Sequence, residues 1–259
     1  MTNARTARQE RERKAAELRA AAARKQARQR SILVTVAALA VLAIAVGVFA
    51  IVKTAQQEQA AASGGTPGNF TTGNGVIVGN TAAPVTLVAY EDFQCPACRN
   101  FEETNKSQLD KWIADGTVKV EYRPISFLDS ASKNQYSSRA LNMVAAVVNV
   151  APDKFKAVHD KLYANQPEEQ TAGPSNEELI QLAVSVGVSE DSIADAVNKN
   201  SYSGWVKTVT ETASKDGVNS TPTLRVNGKT LDTYDPASIK AAVDAAVKAA
   251  ASTPTTTSS

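Results

Sequence analysis

Cysteine is almost missing from this chain: two residues in 259, Cys95 and Cys98. Two cysteines three positions apart exclude a disulfide framework. A bridge between them closes a tiny loop and removes little entropy from the unfolded chain. Histidine is scarcer still, with His159 alone. One imidazole and two thiols fall short of the four ligands of a structural zinc site unless carboxylates complete the set. Two methionines and one histidine argue against copper handling. No internal repeat is present. What cysteine there is lies in one C-x-x-C box, Cys95-Pro96-Ala97-Cys98, so the pair serves chemistry better than architecture.

Charge is absent from residues 31–52, a run of 22 residues from Ser31 to Val52. At about 1.5 Å per helical residue the run spans a hydrocarbon core of about 30 Å. It is apolar on every side, which argues against an ordinary core helix. It is also longer than the 7–15-residue apolar stretch of a cleaved signal peptide. An uncleaved single-pass anchor is therefore expected. Ten Lys/Arg against three Glu give residues 1–30 a net +7, leaving −5 for residues 31–259 out of a total of +2. The basic side stays in the cytoplasm, so the bulk of the chain is expected outside the cell membrane. No cysteine stands just after the run, which excludes a lipid-anchored form. The acidic remainder does not suit nucleic acid as a partner.

The expected organisation is a cytoplasmic basic tail over 1–30 and a transmembrane helix over 31–52. A flexible Gln/Gly/Ser/Thr-rich linker follows over 53–75, then one folded domain over 76–251 and a disordered Ser/Thr/Pro tail over 252–259. The folded part reads as α/β. Strands are expected at Val76–Val78, Val85–Tyr90 and Val118–Tyr122, with a helix from Pro96 that Gly116 stops. A helical block follows over about 128–216. Within it, Ser175 and Glu178 form a capping box. Strands return at Thr223–Val226 and Thr230–Asp232, around the hairpin turn Asn227-Gly228. A last helix starts at Asp235-Pro236, with Asp as cap and Pro at the first helical position. Trp112 and Trp205 are expected in the core or lining a cleft, and His159 on a helix surface or in packing.

The box has the parts that thiol–disulfide exchange requires: a thiolate attacker and a second thiol to release the mixed disulfide. Cys95 opens a helix, where free amides and the dipole favour a negative sulfur. Cys98 falls one turn later and is expected to be less exposed. Pro96 lacks an amide hydrogen at a position that needs none. Arg99 is a candidate for additional positive field. Glu91 and Asp92 are loop carboxylates by default, with proton shuttling as the sharper alternative. No metal and no cofactor are expected.

Three segments together resemble the DsbA family of exported thioredoxin-fold proteins: Phe93-Gln94-Cys95-Pro96-Ala97-Cys98, Tyr122-Arg123-Pro124-Ile125, and Ser220-Thr221-Pro222-Thr223. The resemblance covers roughly residues 75–250. It implies a thioredoxin-like fold split by a helical domain, with Cys95 and Cys98 catalytic and Pro96, Ala97 and Thr221 in support. It also implies a cis Pro222 packed against the reactive sulfurs. The implied partners are exported cysteine-containing proteins and a quinone-linked membrane redox protein, of the vitamin K epoxide reductase-like or DsbB-like kind. Two departures stand out. Ala97 replaces the histidine of the best-known members, which predicts a weaker oxidant. Ala89 occupies the place of a buried acid six positions before the first cysteine, so Glu91 or Asp92 has to substitute. The expected activity is oxidation of substrate cysteines. The alternatives are a reductase or isomerase fed by a membrane electron donor, and a non-catalytic binding or chaperone module.

Overall fold

Strand β2 (Val85–Glu91) is apolar on both faces, and both faces are covered. Leu87 and Ala89 join one large core cluster, while Val88 and Tyr90 join Ile125, Ala213 and Val218 on the opposite side. That double covering is what a near-continuous apolar strand predicts. A computed structural model of the chain describes residues 65–252.

Around β2 the sheet is built in the order β1-β3-β2-β4-β5. Strand β1 (Val76–Val78) runs antiparallel to β3 (Val118–Pro124), and β3 runs parallel to β2. On the other side β4 (Thr223–Val226) is antiparallel to β2, and β5 (Lys229–Thr230) to β4. Helix α1 (Pro96–Ala114) is the crossover that the parallel β2–β3 pair requires. It buries Phe101, Leu109 and Trp112, and Gly116 ends it at φ +72°. The last helix, α7 (Pro236–Ser252), packs Ile239 and Val243 into the same core. Asp235 Oδ1 accepts from the amides of Ala237 and Ser238, as its capping position predicts.

Between β3 and β4 stands the helical block. Its helices are α2 (Tyr136–Val150), α3 (Phe155–Ala164), α4 (Asn176–Val184), α5 (Glu190–Asn198) and α6 (Ser203–Lys215). Helix α2 is its axis, with Ala140, Leu141, Met143, Val144, Ala145 and Val147 all fully buried. A helix that is apolar nearly all round belongs inside. The Ser175–Glu178 capping box forms in both directions at the start of α4.

Two expectations meet a different outcome. The hairpin turns at Asn227 and Gly228, both at positive φ, but β5 is Lys229–Thr230 and stops before Leu231 and Asp232. The amide of Leu231 still donates to Leu224 (2.9 Å), but no ladder continues beyond it. The linker was expected to extend to residue 75, yet its last part is packed. Pro67 is buried and Phe70 stacks on Trp205, with ring centroids 4.6 Å apart. Asn69 Nδ2 donates to the carbonyls of Val148 (3.0 Å) and Asn149 (3.2 Å), which belong to the last turn of α2. One aromatic ring and one capping amide hold a segment whose composition otherwise buries little. Among the described residues no helix is long and apolar enough to cross a membrane. The expected transmembrane helix 31–52, the basic tail 1–30, the linker up to residue 64 and the tail from 253 lie outside the described residues.

Candidate active site

The strand register sets the site. Tyr90 pairs with Thr223 in β4 and Glu91 with Pro124 in β3, so the carboxy end of β2 lies beside the loop carrying Thr221 and Pro222. The Thr221–Pro222 peptide is cis. From β2 the chain turns through Asp92, whose carboxylate is a knot. Oδ1 accepts from the Gln94 amide (2.8 Å) and the Ser137 hydroxyl (2.6 Å), and Oδ2 accepts from the Leu128 amide (2.8 Å). The Asp92 carbonyl accepts from the Cys95 amide at 2.9 Å. The turn is thereby tied to the helical block and delivers Cys95 to the N-cap of α1, with Pro96 at the first helical position.

Gln166, just after α3, holds the same turn from the outside. Its Nε2 donates to the carbonyls of Phe93 (2.9 Å) and Cys95 (3.0 Å). Gln94 Nε2 donates to the Pro167 carbonyl at 3.1 Å. No sequence motif marks Gln166. Only its place at the end of an apolar helix in the inserted block hints that it faces the core.

Both cysteines are reduced and free. Cys95 keeps 6% of its surface and Cys98 none. The second thiol is thus the more deeply buried, as expected, but the first is less open than a helix start alone suggests. Pro96 is exposed and Ala97 half-buried, so access is from that side. Cys95 Sγ lies 3.3 Å from the Thr221 carbonyl oxygen.

The two thiols are driven apart in acidity. A hydrogen bond from Cys98, the Thr221 side chain and the amides of Cys98 and Ala97 outweigh burial and lower Cys95 from 9.0 to about 6. Burial, the bond to Cys95 and the Glu91 charge push Cys98 well above the ordinary thiol range. The guanidinium of Arg99, the candidate for added positive field, lies 4.0 Å from Glu103.

Glu91 and Asp92, read as loop carboxylates, are both buried. Burial lifts Asp92 to about 6 against its three hydrogen bonds. Burial and the Glu102 charge lift Glu91 to about 7. Glu91 Oε2 lies 3.0 Å from His159 Nε2, and its Oε1 has no partner. His159 is not on a helix surface. It is fully buried in a box of Phe93, Tyr122, Phe155 and Tyr163 rings, with centroids 4.5–5.8 Å away. Burial alone would lower it. The Glu102 charge, the nearby Asp160 carboxylate and the bond to Glu91 prevail and raise it to about 9.

Ligand atoms of Glu91, Glu102 and His159 lie within 4.8 Å of one another, the spacing of a metal site. The imidazole, however, turns opposite nitrogens to the two carboxylates: Nε2 to Glu91 and Nδ1 to Glu102 at 4.0 Å. Lys156 Nζ already stands 3.7 Å from Glu102. The cluster is built as a network of charges and protons, and none of these groups points at the Cys95 sulfur.

A thioredoxin-type sheet with a C-x-x-C at a helix start, facing a cis-proline loop, defines a thiol–disulfide oxidoreductase. The chain belongs to the thioredoxin family, whose sequence pattern matches residues 71–245. It is 26% identical over 160 residues to disulfide bond formation protein D of Bacillus subtilis, covering 61% of this chain and 70% of that one. Among solved structures it is similar to the reduced DsbA of Mycobacterium tuberculosis, at 29% identity and a TM-score of 0.57. That match covers 68% of this chain and 98% of the other. The reduced disulfide bond oxidoreductase DsbG of the same organism is 30% identical with a TM-score of 0.60, covering 73% and 97%.

Proposed function

We propose that the chain oxidises cysteine pairs of exported proteins on the outer face of the cell membrane. The observation that carries this reading is the opposed environment of the two sulfurs. Cys95 sits at the start of a helix whose amides face its sulfur, while Cys98 is fully buried behind it and its thiol is pushed well up. Stabilising the Cys95 thiolate stabilises the reduced pair, which makes the disulfide the better oxidant.

In the oxidised protein a substrate thiolate attacks Cys95 Sγ. The Cys95–Cys98 bond breaks and Cys98 leaves as a thiolate, which its burial disfavours until a proton arrives. Glu91 supplies that proton. A second substrate thiolate then attacks the substrate sulfur of the mixed disulfide and releases Cys95 as a stable thiolate. The substrate loses two electrons and two protons, and the pair gains two electrons. Reoxidation runs the same path backward: Cys98 gives its proton to Glu91 and attacks the mixed disulfide between Cys95 and the oxidant. Asp92, with its bonds all directed to the scaffold, holds the turn instead.

The uncharged run 31–52 and the +7 tail before it support a single membrane anchor with the amino terminus in the cytoplasm. Outside the cytoplasm oxidised cysteines persist. A quinone-linked membrane protein of the vitamin K epoxide reductase-like or DsbB-like kind is the fitting acceptor for the electrons.

The test is reoxidation of a reduced, unfolded multi-cysteine protein by the oxidised full-length chain, run beside an equilibrium against glutathione. The reading expects stoichiometric oxidation that disappears in Cys95→Ser. A strongly reducing equilibrium would instead assign a reductase or isomerase. Undiminished cellular function of Cys95→Ser would assign a binding module.

A further inference from the structure

The proton that Glu91 exchanges with Cys98 has to come from solvent and return there, yet this end of the site is closed off from bulk solvent. Cys98 and His159 are 0% exposed and Glu91 is 1% exposed. His159 lies at the inner end of a chain of polar atoms leading outward from Glu91. Its Nε2 is 3.0 Å from Glu91 Oε2. Its Nδ1 is 3.6 Å from Asp160 Oδ1, and the Asp160 side chain is 38% exposed. We propose that the His159 imidazole carries protons between buried Glu91 and half-exposed Asp160, so that Cys98 exchanges its proton with solvent along Glu91, His159 and Asp160. The proposal rests on Glu91 being the proton partner of Cys98.

Three features fit this role. An imidazole accepts a proton on one ring nitrogen and releases one from the other, which an amide does not do. Unpartnered buried polar atoms stand where a proton is handed on: Glu91 Oε1, Glu102 Oε1 and His159 Nδ1. At the outer end Lys156 binds Asp160 and lies 3.7 Å from Glu102, keeping acceptor carboxylates charged beside the ring. The titratable and charged groups around His159 are Glu91 from β2, Glu102 from α1, Tyr122 from β3, and Lys156, Asp160 and Tyr163 from its own helix. The two tyrosines hold their protons too tightly to exchange them near neutrality.

The step moves a proton and no electrons. During substrate oxidation it runs inward, from solvent to Asp160, His159, Glu91 and the departing Cys98 thiolate. During reoxidation it runs outward.

The test uses the reduced full-length chain, glutathione disulfide as oxidant, and rapid mixing with acid quench. The assay separates formation of the Cys95–glutathione mixed disulfide from its resolution by Cys98. His159→Gln keeps an amide donor toward Glu91 but passes no proton. We expect resolution at pH 7 to slow about tenfold or more, less than the ~10²–10⁴-fold of a group that touches the reacting atoms directly. The solvent deuterium isotope effect on that step should grow, and mixed-disulfide formation should keep its rate. Asp160→Asn, on the half-exposed side chain, should slow resolution in the same direction and guards against a misfolded His159 variant. Wild-type resolution in both variants, with Glu91→Gln slow, overturns the conduit and leaves the role of Glu91 standing. Wild-type resolution in all three overturns both. Equal slowing of both steps, with an unchanged isotope effect, assigns His159 to packing and also overturns the proposal.

Discussion

The sulfur of Cys95 lies 3.3 Å from the carbonyl oxygen of Thr221, 126 residues away in sequence. This contact joins the two ends of the split sheet at the reactive atom. The helix start supplies amides to one side of the sulfur, and the loop before β4 closes the other. An extended substrate that reaches Cys95 therefore meets the Thr221–Pro222 loop at the same moment.

The first consequence concerns the two thiols. Cys98→Ser should accumulate a stable mixed disulfide at Cys95, because the resolving thiol is gone. Cys95→Ser should accumulate none, since Cys98 is sealed from solvent. Mass spectrometry after exposure to glutathione disulfide distinguishes the two outcomes.

Glu91 and Asp92 separate by function. Glu91→Gln should slow the Cys98 step about 100-fold near pH 7, the lower end of what positioned acid–base groups contribute. Alkylation of Cys95 by iodoacetamide should change little. Asp92→Ala should do the reverse. It strands the Gln94 and Leu128 amides and the Ser137 hydroxyl, and should cost about 3 kcal/mol in urea unfolding.

The buried charges also set a pH dependence. In the oxidised protein the thiols no longer titrate, which leaves the carboxyls and the imidazole. His159 is raised to about 9, so it contributes stability that is complete below its ordinary 6.5 and lost as pH rises through 9. Glu91, raised from 4.5 to about 7, likewise gives up stability over that interval, and Asp92 does so from 3.8 to about 6. Thermal unfolding of the oxidised form should therefore fall steadily from pH 5 to pH 9. Glu91→Gln should flatten the lower half of that slope, and His159→Gln the upper half. The reduced form adds the opposite contribution from Cys95, which is present above 9.0 and lost as pH falls through about 6.

Domain limits are testable as well. Phe70→Ala removes the ring stacked on Trp205 and should cost about 2 kcal/mol in urea unfolding. Gln166→Ala strands the Phe93 and Cys95 carbonyls and should cost about as much or more. It should also loosen the turn, so that Cys95 alkylates faster.

Much of this architecture is legible in the residues. Val85–Tyr90 reads as a doubly covered strand because no polar residue interrupts Val85-Thr86-Leu87-Val88-Ala89-Tyr90 beyond Thr86. The capping box at Ser175, the Asn227-Gly228 turn and the Asp235-Pro236 helix start are local chemistry, and local chemistry survives folding. The cysteine pair is equally plain. His159 is not, because a histidine on an amphipathic helix gives no sign of facing inward until its carboxylate partner, 68 positions earlier, is brought beside it. Gln166 is silent for the same reason: its partners are backbone carbonyls, which no side-chain pattern announces. Phe70 is hidden by its Gly/Thr/Asn neighbours, whose composition reads as linker. In each case the missing information is a long-range pairing, and only the tertiary fold supplies it.

The asymmetric sulfur pair is tested most directly by following thiolate absorbance in the reduced full-length chain against pH. The account predicts one step near pH 6 that disappears in Cys95→Ser and persists in Cys98→Ser. A first step near the ordinary value of 9.0, or one that survives Cys95→Ser, would contradict it.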